Sequence, residues 1–176
     1  GKRVLLHFGA VDYEATVLVN GERAGAHRGG YASFHFEITA LLKGGENEIV
    51  VRAVDDTRSP LQPSGKQSPQ FNSYGCLYTR TTGIWQTVWL EPVAPVHIES
   101  LKITPDVDGA AVAISAKASS AQGDVKVSVA ILDGRKRISD GSLVVSTKGQ
   151  SIEASPTIKL PVPSPKLWSP DSPFLY

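Results

Sequence analysis

Apolar and polar side chains alternate with a period of two through most of the chain. Residues 4–8 (VLLHF) and 13–19 (YEATVLV) show this alternation, and no long window repeats at helical spacing. Such a pattern is typical of β-strands that bury one face. We therefore predict an all-β protein.

A hairpin is predicted where the second of these strands ends. Asn20-Gly21 suits a type I′ turn, because both central positions of that turn require a positive φ. Residues 39–43 (TALLK) resemble one helical turn, with Thr39 as a candidate N-cap and Gly44-Gly45 as its end. Further strands are predicted over 22–27, 31–38, 47–54 and 83–91.

The alternation stops between residues 55 and 82. This stretch of 28 residues contains three prolines and no sustained period. Most connections in compact domains have about 4–6 residues, so a loop of this length is either disordered or functional. Because its side chains include many suited to recognition, we expect a functional loop; they are Lys66, Gln67, Asn72, Tyr74, Tyr78 and Arg80.

The second half of the chain has a different pattern of strands and turns. A proline-bounded joint, PVAPV, follows Glu91 and suggests a domain boundary, which we place between residues 93 and 94. Short strands with frequent turns then predict an immunoglobulin-like β-sandwich without its cysteine pair. These strands are predicted over 97–104, 110–118, 124–132, 135–139, 142–147, 151–154 and 157–162, with a hairpin at Asp133-Gly134.

Composition excludes several classes of function. The chain has 176 residues with 18 basic and 17 acidic side chains, so bulk charge attracts it neither to nucleic acid nor to a membrane. Cys76 is the single cysteine and cannot form an internal disulfide. The first apolar run has about five residues, too short for a signal peptide or a membrane span. We expect this run to be a strand inside a sheet whose preceding strands are missing. The sequence does not distinguish a periplasmic, secreted or cytoplasmic location.

Five strings together resemble one family. They are LHFGAVDYEATVLVNGERAG, HRGGYASFHFEITALLKGGENEIVVRAVD, PSGKQ, TRTTGIWQTVWLE and LWSPDSPFLY. In order and spacing they are similar to the non-catalytic front half of family 2 glycoside hydrolases, the β-galactosidase and β-glucuronidase group. The resemblance implies a sugar-binding jelly roll over 1–93, lacking its first strands, and an immunoglobulin-like domain over 94–176. The family's catalytic (β/α)₈ barrel is not matched by these residues.

The residues themselves predict no catalytic centre, metal or cofactor. Asp55 and Asp56 are neighbours on a strand end and point to opposite faces, so they do not suit a glycosidase pair and favour an Asx turn. The four histidines lie on different predicted strands without a ligand pattern, which favours structural roles.

The resemblance implies three candidate substrate-binding residues: Asn20, Gln67 and Arg80. For Asn20, turn chemistry alone is a sufficient explanation. Gln67 and Arg80 would line the substrate entrance or contact the barrel, although charged loop tips are usually just solvated. The family's cation-binding loop aspartate falls near Leu77 and Tyr78, which have no carboxylate.

Two functions from different classes remain open, with a purely structural pair of sandwiches as a third. The chain is either a non-catalytic region that supports the barrel and shapes its sugar pocket, or a free-standing carbohydrate-binding module. The tryptophans distinguish the two, since an open aromatic shelf would favour the module. We expect Ile84, Val88 and Leu90 to point to the core. Trp85 and Trp89 should lie on the opposite face, covered by the long loop or by another domain. Expected partners are the barrel, carbohydrate bound weakly, and a second copy joined through an unpaired sheet edge.

Overall fold

The computed structural model describes residues 1–119, 123–146 and 155–176, and these form an all-β protein, which confirms the predicted fold class. A single 3₁₀ turn spans Thr39–Leu41 within the described residues. The chain divides into two compact units, Gly1–Val93 and Ala94–Tyr176. The strands are β1 Arg3–Phe8, β2 Val11–Asp12, β3 Glu14–Val19, β4 Glu22–Arg28, β5 Phe34–Glu37, β6 Ile49–Val54, β7 Gly83–Ile84, β8 Val88–Val93, β9 His97–Asp106, β10 Ala111–Ser119, β11 Val125–Asp133, β12 Lys136–Val145 and β13 Thr157–Pro161.

The first unit is a sandwich of two antiparallel sheets. One has the order β5-β1-β8 and the other β4-β3-β6, while β2 and β7 form a short pair. Alternate residues of β1 and β3 face one another across the interior, which explains the period of two in both sequences. The fully buried core residues are Leu6, Phe8, Val11, Ala15, Val17, Val19 and Ile38.

The hairpin at Asn20-Gly21 is confirmed. The two residues join β3 to β4 with φ angles of 53° and 86°, and β3 pairs with β4 from Val19 and Glu22 onward. Positive φ at both central positions is what a type I′ turn requires. The turn therefore fixes the register of this edge of the sheet.

Two details of the next segment differ from expectation. Thr39 is not an N-cap, because its Oγ1 accepts a hydrogen bond from the backbone N–H of Val4 over 2.8 Å and so ties the turn to β1. The strand predicted over 31–38 is limited to Phe34–Glu37, since β1 ends at Phe8, the partner of Phe34.

The strand predicted over 83–91 is two strands, β7 and β8. In β8, Val88 pairs with Phe8 and Leu90 with Leu6, so both lie on the core-facing side as predicted. Their burial was predicted wrongly: Val88 is 40% and Leu90 54% exposed. The reason is that β8 lies at the free edge of its sheet, where neighbours cover only part of the inner face.

The second unit packs a three-stranded sheet, β13-β10-β9, against the pair β11-β12. The prediction of two strands over 135–147 is wrong, because β12 is continuous and contains Gly141. A Cβ at Gly141 would lie 2.5 Å from Cδ1 of Ile158, so the glycine permits close packing rather than a turn. The hairpin lies one residue later than predicted, at Gly134-Arg135, since Asp133 pairs with Lys136. The strand predicted over 151–154 lies outside the described residues.

Candidate functional site

A buried carboxylate holds the long loop to the first sandwich. Asp12, at the end of β2, is 6% exposed, and its Oδ2 accepts a hydrogen bond from Nε2 of Gln67 over 2.8 Å. Its Oδ1 is buried and has no hydrogen-bond partner among the described residues. Gly30 packs directly on this atom, since a Cβ there would lie 2.5 Å away.

Three effects act on the pKa of Asp12. Burial raises the pKa of this carboxyl above its ordinary value, because the charged form loses hydration. The hydrogen bond from Gln67 acts in the opposite direction, and the nearby negative charge of Asp55 raises the pKa further. The carboxylate is therefore a costly buried charge that a neutral amide partly compensates.

Gln67 uses both ends of its side-chain amide. While Nε2 donates to Asp12, Oε1 accepts the backbone N–H of Thr81 over 2.8 Å. The backbone beside it forms a short parallel bridge, in which Ser68 donates to the carbonyl of Tyr78 and Tyr78 donates to that of Lys66, each over 2.8 Å. Gln67 thus joins the middle of the loop, its end and the sandwich at a single point.

The rest of the loop is also organised by local hydrogen bonds. Ser68 is fully buried, and its hydroxyl donates to the carbonyl of Asn72 over 2.8 Å. Asp55 accepts hydrogen bonds from the side chains of Gln62 and Thr82, which closes the base of the loop. Asp56 Oδ1 accepts the N–H of Arg58 over 3.2 Å, the Asx turn expected from the sequence.

The two tryptophans of the 79–91 segment are engaged separately. Nε1 of Trp85 donates to the carbonyl of Gly30 over 2.7 Å, and its ring meets the edge of Tyr31 with centroids 5.9 Å apart. Trp89 lies on the outer face of β8 and stacks on His7 at 4.7 Å with an interplanar angle of 3°. Both rings stay about half exposed, and each contacts a different set of neighbouring residues.

Arg80 lies at the end of the same loop. Its guanidinium carbon lies 5.7 Å from the ring centroid of Phe71, a cation–π arrangement on the surface. Other residues of the loop line an open cleft of about 430 Å³. Its lining includes Lys66, Tyr74, Cys76 and Tyr78.

Asn20 lies apart from the other two predicted residues. Its Nδ2 donates to the carbonyl of Leu41 and to Oδ1 of Asn47, each over 2.8 Å, while its Oδ1 accepts the N–H of Glu48. Tyr13 and the six residues of β3 separate it from Asp12, and β3 alone spans about 20 Å at roughly 3.3 Å per residue. Gln67 and Arg80 therefore belong to the same long loop, whereas Asn20 lies at the end of β3 that is far from Asp12.

Asp12 is the residue that sequence reasoning missed. It follows the apolar segment FGAV and precedes Tyr13, where a carboxylate interrupts a run of small and apolar residues. A charged residue is almost never fully buried without a partner, so this interruption was the available signal.

The histidines of the first unit contact neighbouring side chains. His7 contacts Glu91 with 2.8 Å between Nε2 and Oε2, and His27 stacks on Phe34 at 4.1 Å. Over the described ranges the structure contains no group of three or more His, Cys, Asp or Glu side chains placed to hold a metal. In the same ranges no helix is long and apolar enough to cross a membrane.

Comparison with known proteins identifies the family. The described residues of both units form β-sheets. The sequence model described as "Glycosyl hydrolase 2 galactose-binding domain-like" matches residues 1–86, and that described as "Glycosyl hydrolases family 2" matches residues 96–176. The chain belongs to glycosyl hydrolase family 2.

Curated relatives align along nearly all of the chain. A putative β-glucuronidase of Formosa agariphila is 36% identical over 97% of this chain and 20% of its own length. A β-glucuronidase of Bacteroides fragilis is 32% identical over 100% of the chain and 26% of its own length. A β-galactosidase of Thermoanaerobacter pseudethanolicus is 30% identical over 100% and 23%. The chain thus spans a fifth to about a quarter of these relatives.

Solved structures show the same architecture. The structure of a putative β-galactosidase from Bacteroides fragilis is 30% identical, with a TM-score of 0.69 over 93% of this chain and 25% of that one. A family 2 member from Bacteroides cellulosilyticus has a TM-score of 0.71 at 21% identity, covering 98% of this chain and 23% of that one. At that identity the second likeness concerns the fold alone.

Proposed function

We propose that these residues are the non-catalytic N-terminal region of a family 2 glycoside hydrolase that cleaves O-glycosyl bonds in carbohydrate metabolism. In this proposal residues 1–93 are a sugar-binding jelly roll and residues 94–176 an immunoglobulin-like domain. Their work is to support the catalytic barrel of the same polypeptide and to shape one wall of its sugar pocket. The observation that carries the proposal is the match of two family 2 models, one to each unit.

The contacts of the three aspartates of the first unit support a non-catalytic role. Asp12 is buried behind Gln67, while Asp55 and Asp56 accept hydrogen bonds inside the loop. A retaining glycosidase needs two carboxylates about 5–5.5 Å apart that face the scissile bond. These aspartates are instead occupied in holding the loop.

The substrate class comes from the relatives. Curated relatives are named β-glucuronidases and β-galactosidases, so we propose a β-glucuronide or a β-galactoside as substrate of the complete enzyme. Within the pocket wall, Gln67 would fix the loop and Arg80 would face the sugar or the barrel. Asn20 stays a predicted sugar contact, although its three hydrogen bonds give it a structural role as well.

An assay of the chain alone tests the proposal. The purified 176-residue chain is incubated with p-nitrophenyl β-D-glucuronide and β-D-galactoside, with an active family 2 enzyme as positive control. We expect no release of nitrophenol. Turnover that persists through repurification would overturn the non-catalytic role.

Exposed aromatic side chains favour a carbohydrate-binding module as the second candidate. Tyr31 is 62% exposed beside Trp85, and Tyr78 and Phe71 lie exposed on the loop. A module would bind a glucuronide or galactoside by itself, whereas one wall of a pocket should bind more weakly than about millimolar. Calorimetry with methyl β-D-glucuronide and methyl β-D-galactoside distinguishes the two, since micromolar affinity would favour the module.

The free edges of the first sandwich support a homodimer of the isolated chain. β8 and β6 each have one edge without a paired strand among the described residues, and both expose apolar side chains. Unpaired edges are templates for pairing with another chain. Light scattering at increasing concentration tests this, and a species that stays monomeric would exclude the dimer.

A further inference from the structure

The turn between β3 and β4 contains two groups that can react with each other. The side-chain amide of Asn20 precedes the backbone nitrogen of Gly21, and attack of that nitrogen on Cγ closes a five-membered ring. Gly21 offers no steric obstacle, because it has no side chain, is exposed, and no described atom lies within 4 Å of where a Cβ would be. The dipeptide that the type I′ turn favours is therefore also a chemically labile one.

The reaction needs only water. The nitrogen of Gly21 gives up its proton and bonds to Cγ of Asn20, the Cγ–Nδ2 bond breaks, and Nδ2 leaves with that proton as ammonia. The product is a cyclic succinimide. Water then opens the ring at one of its two carbonyl carbons, which leaves an aspartate or an isoaspartate in place of Asn20.

Three hydrogen bonds hold the amide of Asn20 away from this reaction. Its Nδ2 donates to the carbonyl of Leu41 and to Oδ1 of Asn47, each over 2.8 Å, and its Oδ1 accepts the N–H of Glu48 over 3.0 Å. Both hydrogens of the amide are thus in use. Ring closure makes the planar Cγ tetrahedral and removes Nδ2, so these bonds must break. The rate in the folded chain therefore depends on local opening of this site.

Asn47 is the residue that fixes the amide most directly. Its Oδ1 accepts from Asn20 and also from the N–H of Lys43 over 2.9 Å, while its Nδ2 donates to the carbonyls of Lys43 and Gly45, each over 3.0 Å. The same side chain closes the 43–47 turn and holds Asn20. Because its own turn holds Asn47 in position, its acceptor is already placed for Asn20.

We propose that Asn20-Gly21 is a site of spontaneous deamidation and that Asn47 keeps the reaction slow in the folded chain. After the reaction, an oxygen that cannot donate replaces Nδ2 opposite the carbonyl of Leu41 and Oδ1 of Asn47, so two hydrogen bonds are lost. An isoaspartate also lengthens the main chain within a two-residue turn that sets the register of β3 and β4. The modified hairpin is therefore less stable, and refolding does not restore it.

Mass spectrometry of peptides from timed digests tests the proposal. The 176-residue chain is kept in warm neutral buffer beside a free peptide with the sequence of residues 18–24. We expect Asn20 to react more than about tenfold slower in the folded chain than in the peptide. Asn47→Ala should accelerate the reaction about fivefold or more, because it removes one of the three bonds. Asn47→Asp keeps the acceptor and should react more slowly than Asn47→Ala, and Glu46→Ala, on an exposed neighbour, should match the wild type.

Asn72, followed by Ser73 in the long loop, is the internal reference for general unfolding. Its rate should be the same in all variants. Equal rates at Asn20 in the folded chain and in the peptide would overturn the proposal. Equal rates in Asn47→Ala and Asn47→Asp would overturn the role of the acceptor. A rise at Asn72 that matches the rise at Asn20 would do the same, since general unfolding would then explain the acceleration.

Discussion

Gln67 donates a hydrogen bond to the buried carboxylate of Asp12, 55 residues earlier in the chain, over 2.8 Å. The same amide accepts the N–H of Thr81, so one side chain ties the middle of the long loop both to the sandwich and to the end of the loop. A loop held at such a point can present Arg80 and the exposed aromatic residues in a defined geometry. That geometry is what a pocket wall requires.

Replacing Gln67 should loosen the loop. Gln67→Ala leaves Asp12 Oδ2 buried without its donor and removes the acceptor for Thr81. We expect a loss of about 1–3 kcal/mol in the free energy of unfolding of the first unit, the usual cost of an unsatisfied buried group. Amide exchange at Ser68 and Thr81 and proteolysis within 55–82 should both accelerate. Gln70→Ala, on an exposed side chain of the same loop, is the control, and equal behaviour of the two variants would refute the role of Gln67.

Asp12 should impose a pH dependence on stability. Because burial raises its folded pKa above the unfolded value of about 3.9, the folded state binds more protons and the free energy of unfolding falls as pH rises. The contribution is complete below the unfolded pKa and is lost as pH rises through the folded pKa. Asp12→Asn keeps an oxygen for Gln67 and removes the titration.

Denaturation of both proteins between pH 4 and pH 7 checks this expectation. The stability of the wild type relative to Asp12→Asn should decline as the pH rises, while the titrations of carboxylates that do not interact with Asp12 cancel in the difference. A difference that stays constant over this range would mean that Asp12 has an ordinary pKa.

Local patterns predicted most of the fold, because strand alternation and turn chemistry are properties of neighbouring residues. The Asn20-Gly21 turn needs only two positive φ angles, and the structure has both. Burial was harder to predict, as Leu90 shows. It lies on the predicted face, but its exposure depends on which strands lie beside and above β8. Gly141 is similar, since its close approach to Ile158 joins two strands that are separate in sequence.

Only part of the candidate site could be predicted, because local patterns do not report contacts between distant residues. The length of the loop and its polar side chains identified it as a candidate functional segment, so Gln67 and Arg80 could be predicted from the sequence. Asp12 could not, because its importance comes from a hydrogen bond across 55 residues and from burial between Gly30 and the loop. Long-range pairing of this kind leaves no periodic signal in the sequence.

Substitutions of Asn20 should separate backbone conformation from hydrogen bonding. Asn20→Gly keeps the positive φ but loses the bonds to Leu41, Asn47 and Glu48, at an expected cost of about 1–2 kcal/mol. Asn20→Ala loses the same bonds but, unlike glycine, keeps a Cβ at φ 53°, where alanine is disfavoured, so it should cost about 1 kcal/mol more than Asn20→Gly. Thermal unfolding of the two variants and of Glu22→Ala, an exposed neighbour, measures the order. Equal stabilities for Gly and Ala would show that the turn conformation is not a constraint.

Gly30 should be coupled energetically to the Gln67–Asp12 bond. A Cβ at Gly30 would lie 2.5 Å from Oδ1 and 3.1 Å from Cγ of Asp12, so Gly30→Ala must displace the carboxylate and break the bond from Gln67. We expect a cost of about 1–3 kcal/mol in the wild-type background. Gly44→Ala is the matched control, because a Cβ there meets no atom within 4 Å.

A double-mutant cycle measures this coupling. In the Gln67→Ala background the bond is already absent, so adding Gly30→Ala should cost less than it does in the wild type, by more than about 0.5 kcal/mol. Chemical denaturation of the two single variants and the double variant gives the coupling energy. Strict additivity would mean that the cost of Gly30→Ala arises from contacts other than Asp12, and that the carboxylate moves without losing Gln67.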